Sequence, residues 1–131
     1  KHKTMNEFNL QKKYNWELAH EPIVKTYKAI LTQTGTSVPV ATVLVNTLGE
    51  GYDIDWTYTG VGLYAATLNK GAFDATKTYI QVEPGYYSSV AFTAAGVNPS
   101  ATSTIVVNSK NTAGANTNIA GTAFIEINIY G

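Results

Sequence analysis

The chain has 131 residues, nine lysines balanced by nine carboxylates, no arginine and no cysteine. That length allows one domain that buries roughly two-thirds of its unfolded surface, and the lack of cysteine removes thiolate nucleophiles, cysteine-held zinc and disulfides. Without arginine there is no bidentate fork for guanine or phosphate, so specific nucleic-acid readout is not expected; no run of about 18 apolar residues offers a membrane span, and KHKTMNEF is not followed by the apolar core that a signal peptide needs after a basic start.

The neutral total hides an uneven distribution. Residues 1–28 hold six lysines against three glutamates, and the remainder holds three lysines against six carboxylates. A basic front end of this kind suits an acidic partner surface, and it equally suits a solvated tail. Thr4-Met5-Asn6-Glu7 has the form of a helix capping box, but helical spacing scatters the apolar residues that follow around the axis. Period two fits better: Phe8, Leu10, Tyr14, Trp16 and Leu18 fall on one face, and only Lys12 interrupts them. Residues 1–22 therefore read as an extended amphipathic arm. Its apolar face needs either a partner surface or a place as an edge strand of the domain behind it.

Residues 23–131 read as β structure throughout. KTYKAILTQ sets Tyr27, Ala29 and Leu31 against Lys28 and Thr32, and VATVLVNTL is rich in β-branched residues before a turn at Gly49-Glu50-Gly51. In DIDWTY, Ile54, Trp56 and Tyr58 alternate with Asp53, Asp55 and Thr57. TGVG then reverses the chain into VGLYAATL, which predicts a hairpin over 53–68. KTYIQVE, SSVAFTAA, TSTIVVN and TAFIEINIY complete about eight strands, with Ile125, Ile127 and Ile129 sharing a face opposite Glu126 and Asn128. Short strands separated by Gly, Pro, Asn and Ser turns predict an all-β, antiparallel sandwich or jelly-roll-like domain. NSKNTAGANTNIAG predicts a loop of about twelve residues or more, long enough to be exposed or functional.

Catalytic constellations are not expected. The two histidines, His2 and His20, fall outside the β region, and neither has the spacing of a zinc-protease motif. Asp53 and Asp55, two apart on one strand face, would stand roughly 7 Å from each other, a separation known from inverting glycosidases. Any D-x-D on an exposed strand gives that distance, and the pair lacks the oxygen-rich spacing of a calcium loop. No enzyme, metal or cofactor is therefore expected. Tyr86 and Tyr87, beside Pro84-Gly85, are the candidate ligand-binding rings, able to stack on a sugar, whereas the strand tyrosines are expected in the core.

KTYKAILTQTGTSVPVATVLVNTLG, followed by WTYTGVGLYAATL, GAF, KTYIQV and FIEINIY, resembles a recurring small domain of proteins encoded by phages and prophages of Bacteroidetes-type bacteria, those of crAss-like phages among them. The likeness spans about residues 25–131, and its motifs are structural: the Gly60-Val61-Gly62 turn, Trp56 and the final isoleucine strand. It implies a virion protein of head-fibre or capsid-decoration type, homo-oligomeric and, by analogy, trimeric. On that reading Phe8, Leu10, Lys12, Lys13, Tyr14, Trp16 and Leu18 bind a capsid or other virion protein. The alternative is a carbohydrate-binding or host-adhesion module that takes a host glycan on Tyr86, Tyr87 and the loop over 108–118.

Overall fold

The structure, a computed structural model, describes residues 23–85, 90–119 and 121–131, with residues 92–94 described by their backbone alone. Eight strands follow in order: β1 (Val24–Gln33), β2 (Val40–Asn46), β3 (Ile54–Gly60), β4 (Leu63–Leu68), β5 (Thr78–Pro84), β6 (Ala91–Asn98), β7 (Ala101–Lys110) and β8 (Gly121–Tyr130). They form two four-stranded antiparallel sheets, β2-β1-β8-β5 and β3-β4-β7-β6, packed as a sandwich. The expected all-β fold class with about eight strands holds, and the start of the expected strand SSVAFTAA lies outside the described residues. The expected arm lies outside the described residues.

Each sheet is built around its two inner strands, β1 and β8 in the first and β4 and β7 in the second. In the first sheet β1 runs against β8 from Val24 opposite Tyr130 to Gln33 opposite Gly121. This pairing joins the two ends of the described chain, and Gly131 donates its N–H to the carbonyl of Ile23 at 2.9 Å. In the second sheet the β3–β4 hairpin pairs through β4 with β7. Because successive side chains alternate between faces, one set from each strand meets in the middle. Tyr27, Ala29 and Leu31 of β1 and Ala123, Ile125 and Ile127 of β8 pack against Ile54 and Trp56 of β3, Tyr64, Ala66 and Leu68 of β4, and Ile105 and Val107 of β7. Each large side chain buried in this way stabilises the fold by about 1.5–3 kcal/mol. Leu48, Phe73 and Ile119, from connections between strands, join the same core.

Two polar contacts bridge the sheets inside this core. Trp56 Nε1 donates to the Tyr27 hydroxyl at 3.4 Å, and the Tyr64 hydroxyl donates to Gln33 Oε1 at 3.0 Å. The Tyr64 oxygen also accepts from the Ile119 N–H at 2.8 Å. Tyr58 meets the Tyr64 ring edge-on, with centroids 5.9 Å apart, an arrangement that favours aromatic pairs.

The loop expected over 108–121 is shorter and more ordered than its composition implies. β7 continues to Lys110, and Lys110 bridges Asn116. Between them the Asn111 carboxamide oxygen accepts from the N–H groups of Ala113 and Ala115, both at 3.0 Å, and closes the turn locally. Asparagine makes such turns because its side chain can stand in for a backbone acceptor. Beyond it, Asn118 Nδ2 donates to the Gly35 carbonyl, while Asn118 Oδ1 accepts from Gly62. One residue thus holds together the β1–β2 and β3–β4 turns.

Candidate functional site

The sequence-derived sites are Phe8, Leu10, Lys12, Lys13, Tyr14, Trp16 and Leu18 in the arm, and Tyr86 and Tyr87; all nine lie outside the described residues. Asp53 and Asp55 are placed. Both are exposed, Asp53 immediately before the edge strand β3 and Asp55 within it. The Asp53 carboxylate accepts from the Ile54 N–H at 2.8 Å, so it serves the start of the strand.

The surface that sequence reasoning missed is the outer face of the first sheet. Cross-strand registers place its residues in rows: Thr26, Asn128 and Tyr79; Lys28, Glu126 and Gln81; Ile30, Phe124 and Glu83. On the β2 side the register slips, with Lys28 opposite Val45 and Ala29 opposite Val43. This β-bulge leaves Leu44 as the extra residue. A bulge re-aims side chains, and Leu44 lines the same groove as Ile30 and Phe124. The groove measures about 210 Å³, and its side-chain rim is completed by Lys28, Gln81, Glu83 and Glu126.

Large apolar side chains stand open on and around this face. Val40 is 64 % exposed, Leu44 60 %, Tyr79 58 % and Phe124 42 %, with Ile30 half-buried between them. On the opposite face of the molecule the described outward positions of the second sheet are mostly small or hydroxylated, among them Thr57, Thr59, Ala65, Thr67 and Thr104, with Asp55, Leu63, Val106 and Asn108 among the larger ones. Isolated exposed apolar residues are ordinary, whereas a contiguous group rimmed by polar ones marks an interaction surface.

Polar contacts fix the rim. Asn128 accepts from Thr26 Oγ1 and donates to Glu126 Oε2, both at 2.8 Å, and Gln81 Nε2 donates to Glu83 Oε1 at 2.9 Å. Lys28 Nζ stands 3.8 Å from Glu126 Oε1, a loose and partly exposed ion pair, of a kind worth at most about 1 kcal/mol. Two carboxylates against one ammonium leave the rim with an excess negative charge. Such a face can take an extended apolar segment that carries a cation.

A second depression of about 550 Å³ lies at the sandwich end, lined by Thr32, Gln33, Thr34, Gly35, Asn118, Ile119, Gly121 and Thr122. Its Gln33 is spoken for: besides accepting from Tyr64, it donates to the carbonyls of Gly35 and Ser37. Among the described residues, no three His, Cys, Asp or Glu side chains gather where they could hold a metal.

Part of the outer face had a readable signal. Ile30 lies between Ala29 and Leu31, and Phe124 between Ala123 and Ile125, so each is a large apolar residue in the outward phase of an alternating strand. VATVLVN gave no such signal, because a continuous apolar run is also the pattern of a fully buried strand. Its position at the sheet edge is what exposes it.

No protein-family model matches the chain, nor does any curated protein or solved structure.

Proposed function

We propose that this chain is a structural protein of a phage particle, a head fibre or capsid-decoration protein, which docks through residues 1–22 and exposes its sandwich to solvent. The observation that supports the reading is the apolar, acid-rimmed outer face of the first sheet, on a chain whose basic, period-two segment precedes β1 of that same sheet in sequence. Proteins of particles are assembled from many copies by such reciprocal features: a projecting strand-like segment gains apolar burial and charge pairing on a neighbour. The likeness of residues 25–131 to phage-encoded domains supports the same assignment and, by analogy, a closed trimer.

The test is direct. Particles purified from a culture whose DNA encodes the chain are probed with antibody raised against the recombinant full-length protein, using gold labelling in the electron microscope. Labelled particles are expected. Recombinant protein carrying Phe8→Ser, Trp16→Ser and Leu18→Ser together is expected to stay folded and to lose co-sedimentation with particles stripped of their native copies. Unlabelled particles that contain no peptide of the chain by mass spectrometry would overturn the assignment.

A further inference from the structure

The outer-face groove has a specific occupant. We propose that it receives the segment around Leu10, Lys12 and Tyr14 of a second copy of this chain, so that the molecule carries both halves of a self-assembly contact. The inference deepens the virion reading and rests on it for the role of the arm.

Three observations carry it. The first is charge order. The apolar face of the arm is interrupted once, by Lys12, and the apolar groove is interrupted by Glu83 and Glu126, offset only in part by Lys28. A cation set among apolar side chains thus meets carboxylates set among apolar side chains, which fixes register as well as adding attraction. The second is length. From Leu44 on β2 to Glu83 on β5 the groove crosses three strand spacings, roughly 14 Å. Leu10 to Tyr14 in extended conformation covers four residues, roughly 13 Å. Lys12, at the midpoint, falls over the β1–β8 pair, where Glu126 stands.

The third is where the described chain ends. Ile23 lies in register with the end of β8 through the bond from Gly131 and is 68 % exposed. The groove lies back along β1, at Lys28 and Ile30, roughly 17–23 Å from Ile23 by strand rise. Proline at position 22 disfavours a helical turn at residue 21, so the sequence favours entry along the strand direction. An extended entry leads the chain away from its own groove, and the segment is seated in a neighbour's. Contacts of this head-to-tail kind close into rings when the rotation permits.

The experiment uses the full chain. Tyr14 is replaced by the photo-crosslinker benzoylphenylalanine in copies of natural isotope content, mixed with unsubstituted nitrogen-15 copies and irradiated; mass spectrometry then locates the crosslinks. Light-to-heavy crosslinks to peptides containing Ile30, Leu44 or Phe124 are expected. In light scattering, Lys12→Glu and Glu126→Lys should each weaken self-association about tenfold, and the double variant should restore much of it. Crosslinks confined to one chain, or a solution mass of one chain at every concentration, would overturn the proposal. So would self-association that ignores both charge reversals and crosslinks elsewhere. Loss of particle binding in the arm variant without any self-association would leave the virion reading standing and overturn the groove assignment alone. Groove-mediated self-association with unlabelled particles would do the reverse.

Discussion

The hydroxyl of Tyr64, on β4, donates to the carboxamide oxygen of Gln33, at the end of β1, and so joins the two sheets at 3.0 Å through a fully buried phenol. The same oxygen accepts from Ile119. One hydroxyl therefore satisfies a buried acceptor and a buried donor.

Removing it leaves both groups without that partner. Tyr64→Phe is expected to destabilise the protein by about 1–3 kcal/mol, the usual cost of stranding buried polar groups. Tyr27→Phe should cost less, because among the described residues its hydroxyl takes only the long 3.4 Å bond from Trp56. Urea unfolding of the two variants beside the parent measures the difference; equal losses would contradict this account of the Tyr64 network.

The two phenols also set an alkaline limit. Burial, the largest influence, pushes both Tyr27 and Tyr64 above the ordinary tyrosine value of 10.0. Their contribution is complete below the unfolded-state value and is lost as pH rises through the folded-state one. Thermal unfolding should show stability falling from about pH 10 upward, with a shallower fall in the Tyr27→Phe, Tyr64→Phe double variant.

Asp74 titrates in the opposite sense. Its carboxylate accepts from both the hydroxyl and the N–H of Thr76, at 2.6 and 2.9 Å, which holds its pKa below the ordinary 3.8. The contribution of that turn is present above the unfolded value and fades as pH falls through the folded one. Carboxyl NMR should place the Asp74 midpoint below 3.8, and Thr76→Ala should move it back up. An unmoved midpoint in Thr76→Ala would show that the lowering has another origin.

Two glycines separate backbone strain from collision. Gly62 has φ of 68°, and a Cβ there would run into the Ser109 carbonyl and the backbone of Thr117. Gly114 has φ of 83° with open space around it. Gly62→Ala should cost on the order of 3 kcal/mol or more, and Gly114→Ala about 1 kcal/mol from the left-handed backbone alone. Chemical denaturation of the pair checks the ranking, and a similar loss in both would mean that the close approach at Gly62 relaxes.

The strands and their inward faces were legible because alternation is a local property. Ile54 and Trp56 announce a half-buried strand in five residues, and the isoleucines of β8 do the same. The TGVG reversal was legible too, since Gly62 occupies a conformation that few other residues adopt. The end of β7 was not, because Asn, Ser and Lys at 108–110 have loop composition and are held in the strand by pairing with β6 on one side and by Gly62 and the 116–117 segment on the other. Nor was the exposure of Val40 and Leu44, for a run of β-branched residues has the same appearance in the centre of a sheet as at its rim.

Spacing along the chain therefore determined that this is an all-β protein, which residues of β1, β3 and β8 face the core, and that nine arm and tyrosine positions are candidates for binding. Pairing between distant segments decided the rest. Val24 meets Tyr130, β2 is left at the edge with a bulge, and Ile30, Leu44 and Phe124 come together beside Glu83 and Glu126. The physical reason is that alternation assigns a side chain to a face, whereas exposure depends on whether anything lies over that face, and only the assembled sheets decide that.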